Sequence, residues 1–536
     1  MTRTTLTRST PTLADLGPSL AEDFRRHSFT VAGLERALGP EAVAALGRSD
    51  AATVRRRVRD AGIVGVLVRL FILGDPVPRA EVAAALPRVP VRQGSEAGLW
   101  TLVGGVDGGS ALRSLIDLRP VDTGYGTRWV FSDVDGSMVR TETRPDHVLG
   151  VGQASLSLLR ITPSSPAGTV LDLGTGCGIQ LVHALDTAEA GTGTDIPPRC
   201  LELTAATLAV NGLTAELLRG PWFDPIEGRR FDRIVANPPF VVGPAKPGHS
   251  YRESGLALDG ASRTVIEGAP DHLADGGTAV LLAAWVEQED TDWRSRVASW
   301  VPSEGVDAWI LRRDTSDPGL YVWTWLTDEG MDPRDEGTGQ AADAWLDHFE
   351  AQGVTGVGFG YVYLRKIDGP SSVLCEDLMH PFGDGLGDEA EAYFARTAWL
   401  REAAERHGGE DRALDATVFT VSPDVHLHLS EPLSPIGADV DPAEPSTVVV
   451  ERVTGARWRH EIDPLTAAVM RGARTGALPL EDLVILAAMG AGEDPDALAG
   501  PVRQIVADLF VHGFLVPAGE PGLLPTALRD MTEEAS

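Results

Sequence analysis

A carboxylate and a set of glycines lie close together in the sequence at residues 169–180, TVLDLGTGCGIQ. A short apolar run that contains Asp172 precedes three glycines at every second position: Gly174, Gly176 and Gly178. The pattern predicts a strand, a tight loop and a helix, because glycines let the backbone pass close to a ligand and the amides at the helix start can face it. A carboxylate at the strand end would repel a pyrophosphate but suits a cation that carries an amino group and a sulfonium. A structural turn or another nucleotide site would also produce a glycine loop.

Two segments farther along the chain add polar groups to the same predicted edge. Residues 191–195 form a predicted strand that ends in Asp195, about twenty residues after the glycines, where such folds place a carboxylate on ribose hydroxyls. Residues 231–240, FDRIVANPPF, combine an apolar strand with two prolines that end its hydrogen-bond ladder. The last four of these residues are therefore predicted at the carboxyl end of a strand, where ligands of open α/β sheets bind.

The order and spacing of the three segments resemble the class I S-adenosylmethionine (SAM) dependent methyltransferases. The tetrapeptide at 237–240 resembles their Asn-Pro-Pro-aromatic motif for amino or amide nitrogens on a planar group. The resemblance covers about residues 148–367 and implies an α/β, Rossmann-like domain with SAM as its cofactor. The cofactor-binding residues that it implies are Gly150, Asp172, Gly174, Gly176, Gly178, Asp195, Trp222 and Asn237. The catalytic residues that it implies are Asn237, Pro238 and Phe240, and no metal is expected.

The chemistry of such an acceptor explains the residue types in the tetrapeptide. An exocyclic amine or a carboxamide is a poor nucleophile because its lone pair is delocalised. The side-chain oxygen of Asn237 and the carbonyl of Pro238 would each accept a hydrogen bond from the same NH2 and stabilise positive charge as it develops on nitrogen. Phe240 would stack on the planar target and align it with the sulfonium methyl. In the alternative interpretation the prolines only end a strand and Phe240 belongs to the core.

Two of the implied cofactor residues lie outside the three segments. Gly150, in residues 147–162, would let the backbone pass the methionine end of the cofactor, although an ordinary linker helix also fits this segment. Trp222 follows a predicted third strand and resembles the aromatic residue beside adenine in release-factor glutamine methyltransferases. That family carries an acid where this chain has Pro221, so Asp224 would have to supply the hydrogen bond, and Trp222 could instead be plain core.

The length and amino-acid composition restrict the classes of protein to which this chain can belong. The chain has 536 residues, enough for roughly three or four domains. Its three cysteines, Cys177, Cys200 and Cys375, are too few and too scattered for a disulfide framework or a zinc site, which predicts a reducing, cytoplasmic location. Cys177 is expected to be a small filler of the glycine loop. The chain begins without the apolar core of a signal peptide, and no membrane partner is expected.

The net charge of −31 is unevenly distributed. Residues 1–147 carry 19 Lys+Arg against 17 Asp+Glu, residues 148–330 carry 13 against 24, and residues 331–536 carry 14 against 36. So acidic a surface disfavours unguided nucleic-acid binding unless a local basic face overrides it. The N-terminal region offers one in RRRVR at 55–59, where a solvated helix face is the favoured alternative.

Three domains are predicted. They are an N-terminal helical, winged-helix-like module at 1–147, the methyltransferase domain at 148–370, and a C-terminal α+β module at 371–536 that ends in a winged-helix-like segment. The later strands of the middle domain close in an antiparallel hairpin and are predicted at residues 278–284, 306–311, 321–326 and 357–364.

A pair of histidines in the last module is the other candidate for chemistry. His426 and His428 alternate with apolar residues and share one face of a predicted strand. Together with Glu431 they could hold a metal ion. A solvent-facing strand is favoured, because no third histidine lies at matching spacing.

The first functional expectation is a SAM-dependent N-methyltransferase that acts on an exocyclic amino nitrogen of a nucleobase in rRNA or tRNA. The glycine loop and the tetrapeptide resemble the small-domain rRNA guanine N2-methyltransferases, whereas residues 220–240 as a whole resemble the release-factor glutamine methyltransferases. The terminal Phe240 and the flanking modules favour RNA, and the acidic surface favours a glutamine acceptor. The expected partner is RNA or a translation-related protein, with a further protein partner at the acidic C-terminal module. The sequence is also compatible with a peptide or small-molecule tailoring enzyme and with a scaffold that retains SAM binding.

Overall fold

The structure is a computed structural model that describes most of the chain. The described residues are 10–105, 109–136, 138–139, 144, 146–239, 241–243, 256, 258–328, 331–332, 334–430 and 447–534. The chain divides into two compact units, one of Met1–Leu159 with Pro166–Asp377 and the other of Arg160–Ser165 with Leu378–Ser536.

The N-terminal part of the first unit is helical before it becomes a small sheet. Its helices are α1 Leu13–Arg26, α2 Val31–Leu38, α3 Pro40–Gly47, α4 Ala51–Arg57, α5 Gly62–Leu67, α6 Arg79–Ala85 and α7 Val91–Glu96, with a 3-10 turn at Val58–Asp60 and a π-helical turn at Val68–Ile72. Its strands are β1 Val77–Pro78, β2 Trp100–Gly104, β3 Ser110–Ser114, β4 Ile116–Asp122 and β5 Thr127–Asp133. A sheet in the order β1-β3-β2 is antiparallel, and β4 and β5 form a hairpin. The winged-helix class of this part stays a prediction.

Strands and helices alternate in residues 153–377. The strands are β6 Ala167–Leu173, β7 Ala188–Asp195, β8 Glu216–Arg219, β9 Phe231–Ala236, β10 Leu273–Gln288, β11 Glu304–Ser316, β12 Val354–Pro370 and β13 Val373–Asp377. The helices are α8 Gln153–Ile161, α9 Ile179–Ala184, α10 Pro198–Val210, α11 Gly260–Gly268, α12 Trp293–Ala298, α13 Pro318–Asp328 and α14 Glu336–Ala351, with 3-10 turns at Asp224–Ile226 and Ala269–His272.

These strands form one mixed sheet in the order β13-β11-β12-β10-β9-β6-β7-β8. The run from β8 to β10 is parallel, whereas β12 is antiparallel to both of its neighbours, β10 and β11. An antiparallel closing strand is what the resemblance to class I methyltransferases implies, and the fold is this Rossmann-like fold. β13 adds a strand parallel to β11 that the sequence did not predict.

The central strands form because they are apolar on both faces. Leu171 and Leu173 of β6 and Ile234 and Ala236 of β9 lie on one face and are buried in one core cluster. Val170 and Val235, on the opposite face, are buried as well. Parallel strands that are covered on both faces require such continuous apolar runs. A polar residue inside them, such as Asp172, must therefore find hydrogen-bond partners within the protein or in a ligand.

The strand predicted at residues 321–326 is wrong, because this segment lies in α13. Aromatic and β-branched residues favour a strand by propensity. The chain instead enters a helix at Asp317, whose side chain and carbonyl accept amides of the first turn. Tyr321, Val322 and Leu326 are buried at helical spacing and share a core cluster with residues of α14. Packing between the two helices thus outweighs local propensity.

Helix α10 joins the N-terminal part to the central sheet. Its Asn211 cap accepts a hydrogen bond from the amide of Trp129 at 3.0 Å, and Thr207 accepts one from the amide of Phe131 at 3.0 Å. Gly17 of α1 lies so close that a Cβ at this position would be 2.7 Å from the α10 backbone. Because β5 and α1 both pack on α10, the N-terminal part belongs to the same compact unit as the sheet.

The second unit also combines helices with small sheets. Its helices are α15 Leu386–His407, α16 Glu410–Ala416, α17 Pro464–Ala473, α18 Leu480–Ala491, α19 Pro495–Val511 and α20 Thr526–Glu534, with a 3-10 turn at Pro521–Leu523. Its strands are β14 Phe419–Val421, β15 Val425–Ser430, β16 Thr447–Arg452, β17 Arg459–Ile462 and β18 Leu515–Pro517. β14 pairs with β18, and the sheet β15-β16-β17 is antiparallel. Its winged-helix class likewise stays a prediction.

The two histidines of β15 are both exposed. Their ring centroids are 6.3 Å apart, and Nε2 of His428 lies 3.4 Å from a carboxylate oxygen of Glu451 on β16. Glu431 lies outside the described residues. In the part of the chain that the structure describes, no group of three or more His, Cys, Asp or Glu side chains could hold a metal ion.

Four buried charged side chains hold the second unit together: Glu389, Arg396, Asp424 and Arg452. The carboxylate of Glu389 lies 2.5 Å from Arg396 and 2.7 Å from Arg452, and Arg452 lies 3.1 Å from Asp424. Both guanidinium groups also donate to carbonyl oxygens at the end of α19. The network connects α15, β16 and α19, and removal of one carboxylate would leave buried positive charge uncompensated.

Replacing Glu389 by Gln should therefore lower the unfolding free energy of the second unit by about 3 kcal/mol. Glu405→Gln, at an exposed position of the same helix, is the matched control and should change it by less than about 0.5 kcal/mol. Hydrogen exchange of the α15 and β16 amides, followed by mass spectrometry, reports on this unit alone. Equal protection in both variants would show that the network does not stabilise the unit.

Candidate functional site

Three strand ends bring the predicted polar residues to one edge of the sheet. Leu173 at the end of β6 is paired in register with Thr194 of β7 on one side and with Ala236 of β9 on the other. The residues that come next on these strands therefore start from the same edge: Gly174, Asp195 and Asn237. It is the carboxyl edge, where ligands of open α/β sheets bind.

The glycine loop adopts a conformation that other residues rarely adopt. The φ angles are 76° at Gly174, 53° at Gly176 and 82° at Gly178, all in the left-handed region. A Cβ on either of the first two glycines would meet no described atom within 4 Å. A Cβ on Gly178 would lie 2.9 Å from the side chain of Thr204 on α10. The first two glycines thus leave space for a ligand, and the third lets the loop pack against α10.

Asp172 ties this loop to the helix that follows it. One carboxylate oxygen, Oδ2, accepts hydrogen bonds from Thr175 Oγ1 at 2.7 Å and from the amide of Leu181 at 3.0 Å. The other oxygen, Oδ1, is buried and has no hydrogen-bond partner among the described residues. Burial raises the pKa of Asp172 to about 7. The start of α9 is thus partly capped by Asp172, and the other oxygen is left buried without a partner among the described residues.

Asp195 ties the end of β7 to the same loop. Its carboxylate accepts hydrogen bonds from the amides of Gly176 and Ile196, both at 2.8 Å. Burial raises the pKa of Asp195 above its ordinary value. Each carboxylate oxygen has a second lone pair, so Asp195 can still accept hydrogen bonds from hydroxyl groups.

Ile196 is a candidate contact that sequence reasoning missed. This residue follows Asp195 directly and is 54% exposed. An exposed branched side chain beside the predicted ribose carboxylate offers an apolar surface to a planar base. The only signal in the sequence was its position after the acid at the strand end.

The structure is compatible with two interpretations of Trp222 and does not test the cofactor contact of Gly150. Trp222 follows β8 and has a φ of 46°, which is strained for a bulky residue. Its side chain is half-buried and packs on the core cluster of the central sheet, so both the adenine contact and the core interpretation stay open. Gly150 lies beside Ser132, whose Oγ would be 3.0 Å from a Cβ at this position. Its contact with the cofactor stays a prediction.

The first three residues of the tetrapeptide, Asn237, Pro238 and Pro239, follow β9 directly, as expected. Asn237 is half-buried and Pro238 is buried, while Phe240 lies outside the described residues. Just beyond it, Val242 is held by two aromatic side chains from α13 and α14. Its amide donates to the hydroxyl oxygen of Tyr321 at 2.6 Å, and its carbonyl accepts from Nε1 of Trp345 at 3.2 Å. Sequence reasoning missed both side chains because they lie about 80 and 100 residues from Val242 along the chain.

Cys177 in the glycine loop does not behave as a nucleophile. Burial raises the pKa of its thiol to about 11, so the thiol stays protonated near neutral pH. All three cysteines are free. In the described part of the chain, no helix is long and apolar enough to cross a membrane.

Three protein families match separate parts of the chain. Residues 149–289 match the methyltransferase small domain. Residues 26–111 and 391–517 match two families that are each described as a domain of unknown function.

Two curated relatives and one solved structure are similar to parts of the chain. Release factor glutamine methyltransferase of Agrobacterium fabrum is 30% identical over 260 residues, which cover 46% of this chain and 84% of that protein. Ribosomal RNA small subunit methyltransferase C of Salmonella newport is 33% identical over 158 residues, 29% of this chain and 42% of that protein. The solved structure of the T. thermophilus 16S rRNA N2 G1207 methyltransferase with AdoMet and guanosine is 22% identical, covers 39% of this chain and 56% of its own, and has a TM-score of 0.26.

The buried carboxylate of Asp172 predicts that SAM affinity depends on pH. With a pKa of about 7, this group is mostly protonated at pH 6 and mostly ionised at pH 8. A cation prefers the ionised form, so SAM affinity should rise about ten-fold between these pH values. Calorimetric titration measures the affinity, and S-adenosylhomocysteine, which lacks the sulfonium charge, should show a smaller change. The same pH dependence in Asp172→Asn would contradict the role of this carboxylate.

The hydrogen bond from Val242 to Tyr321 predicts a positioning role for this tyrosine. Tyr321→Phe keeps the ring but leaves the buried amide of Val242 without its acceptor, which costs about 1–3 kcal/mol. We expect kcat to fall about ten-fold or more while SAM affinity stays the same, because the bond lies on the acceptor side. Tyr125→Phe, at an exposed tyrosine, is the control. A weaker SAM affinity in Tyr321→Phe would place the effect on the cofactor side instead.

The residues at this edge fit S-adenosylmethionine. Asp172 offers a buried, unpaired oxygen to positive charge, the first two loop glycines leave open space, and Asp195 ends the neighbouring strand. The family match at residues 149–289 and a relative of which 84% is covered at 30% identity agree with this fit. The chain therefore belongs to the class I S-adenosylmethionine-dependent methyltransferases with a methyltransferase small domain, and S-adenosylmethionine is its cofactor.

Proposed function

We propose that this enzyme methylates the side-chain amide nitrogen of a glutamine in a protein of the translation machinery. The observation that carries the reaction type is the position of Asn237 and Pro238, directly beyond β9 and beside the strand ends that bear Gly174 and Asp195. An acceptor at Asn237 would face the cofactor loop across one sheet edge.

The proposed mechanism uses hydrogen-bond acceptors rather than a strong base. The side-chain oxygen of Asn237 and the carbonyl of Pro238 accept the two hydrogens of the acceptor NH2, so positive charge on its nitrogen is stabilised as the methyl group is transferred. When S-adenosylmethionine is bound, its sulfonium would supply the methyl group and S-adenosylhomocysteine would be left. The acceptor nitrogen would then lose one proton to water and become the neutral N-methyl amide. Phe240 would hold the planar group in line, and Asn237 would also border the methionine end of the cofactor.

The proposed cofactor contacts follow the strand order. Asp172 and the open glycines 174 and 176 would surround the methionine part, with Gly178 supporting the loop. Asp195 would accept the ribose hydroxyls, and Trp222 would border the adenine. Gly150 would lie near the methionine end.

Charge on the acceptor side favours a protein over RNA. Residues 314–352, which include α13 and α14, carry ten Asp or Glu and one Arg. These helices bind Val242, just beyond Asn237 and Pro238, and α14 exposes Asp343, Asp347 and Glu350 to solvent. We therefore expect this side of the domain to repel a phosphate backbone. The Agrobacterium relative, which the chain covers over 84% of its length, is a release factor glutamine methyltransferase.

A nucleobase amino group in rRNA or tRNA is the second candidate. In the run at 55–59, Arg55 and Arg57 are paired with Asp75 and Glu41, whereas Arg56 and Arg59 are exposed and form no ion pair with a described residue. Two free arginines are a modest phosphate-binding face, and the Salmonella relative is an rRNA methyltransferase over the matched segment. For either substrate we propose a cytoplasmic location, and the acidic C-terminal module as a site for a further protein partner.

Tritium transfer from labelled SAM tests the proposal. RNA and protein fractions of a host that lacks this gene are incubated with the enzyme, and we expect label in protein, at glutamine. Label confined to RNA would favour the nucleobase candidate and overturn the protein proposal.

Asn237→Ala should reduce this transfer by about 100-fold or more and leave SAM affinity nearly unchanged, because Asn237 acts mainly on the acceptor. Gln93→Ala, at an exposed position of α7, is the control for a lost carboxamide. Unchanged turnover in Asn237→Ala would contradict the mechanism.

A further inference from the structure

The connection between β11 and β12 carries a helical hairpin, α13 and α14, at the acceptor side of the sheet. β11 runs in the same direction as β10, because both are antiparallel to β12, so α13 begins beyond the carboxyl edge. Tyr321 of α13 and Trp345 of α14 both bond Val242, and a Cβ on Gly243 would lie 2.8 Å from Trp345. The hairpin is thus built onto the segment that follows the catalytic tetrapeptide.

The outer face of α13 presents large apolar side chains. Leu320 and Trp323 are 51% and 54% exposed, although Tyr321, Val322 and Leu326 on the inner face are buried. With Thr324 and Thr327, which are also exposed, the outer residues follow the i, i+3, i+4, i+7 spacing of a single helix face. An exposed tryptophan beside an active site is a surface that a partner can cover.

The outer face of α14 is acidic. Asp343, Asp347 and Glu350 are exposed at spacings of four and three residues, so they lie on one side of the helix. Arg334, the one Arg or Lys among residues 314–352, is already paired with Asp332 at 2.5 Å. Asp314 and Asp317 add exposed negative charge at the start of α13.

We infer that the outer faces of α13 and α14 form a docking surface for a basic segment of the protein substrate, outside the acceptor site itself. This inference rests on the proposed protein acceptor. An arginine or lysine side chain of that segment stacks on Trp323, its apolar neighbours cover Leu320, and the carboxylates of α14 pair with its remaining positive charge. The negative charge of this surface favours a basic protein segment over RNA, because a phosphate backbone would lie against the carboxylates of α14.

Binding measured without methyl transfer tests the docking surface separately from the proposed reaction. The probe is a fluorescein-labelled peptide rich in arginine and leucine, and its anisotropy is measured against the full-length protein. The double variant Leu320→Ser, Trp323→Ser should weaken binding about ten-fold or more. The triple variant Asp343→Asn, Asp347→Asn, Glu350→Gln should weaken it similarly and reduce its dependence on salt.

The matched control is Leu486→Ser, Met489→Ser on α18 of the second unit, where the two side chains are 57% and 69% exposed. It removes a comparable exposed apolar surface and should leave peptide affinity unchanged. SAM affinity, equal in all variants, shows that each protein is folded.

Two results would overturn the docking surface. The first is a peptide affinity that is the same in the wild type and in both hairpin variants, or that falls as far in the α18 control as in those variants. The second is binding of a uridine-rich RNA oligonucleotide to the wild type that is lost in the double variant Leu320→Ser, Trp323→Ser. Such a loss would show that Trp323 stacks on bases. Label found in RNA in the tritium experiment would overturn the protein acceptor, whereas failure of peptide binding alone would leave that acceptor in place.

Discussion

The proposed cofactor side of this enzyme depends on one buried carboxylate. Asp172 sits within an apolar strand and binds both the glycine loop and the start of α9. The loop in turn is fixed by Asp195, which accepts the amide of Gly176, and by Thr204, which donates to its carbonyl. A buried carboxylate with an unpaired oxygen is costly, and such cost is tolerated where a ligand supplies the missing partner.

The proposed acceptor side is held by side chains from a different part of the chain. The segment after the tetrapeptide is held by side chains from the hairpin between β11 and β12, and the hairpin has its own small core around Tyr321, Trp345 and Phe349. The cofactor loop makes none of these contacts in the described residues. We therefore expect changes in this hairpin to alter the proposed acceptor side without disturbing the strand ends at Asp172 and Asp195.

Local patterns predicted the cofactor half well, because each feature is encoded within a few residues. The glycine loop, the strand that ends in Asp195 and the strand before Asn237 all lie where their sequence places them. Features that depend on distant contacts were missed. Residues 321–326 have strand propensity but fold as a helix against α14, and the bonds of Val242 reach across the chain. β13 was missed because its place beside β11 is set by the sheet and not by its own five residues.

Helix α10 has a consequence for how this enzyme could be divided. Thr204 binds the glycine loop on its side of the helix, and Thr207 and Asn211 bind β5, while Leu203, Ala206 and Val210 belong to the hydrophobic core of the N-terminal part. A fragment that began at residue 148 would expose that apolar stripe to water and remove the partners of one helix that supports the cofactor loop. We therefore expect that the catalytic region does not fold on its own. If the N-terminal part were exchanged for another module, the residues on the face of α10 that it covers would have to be changed as well.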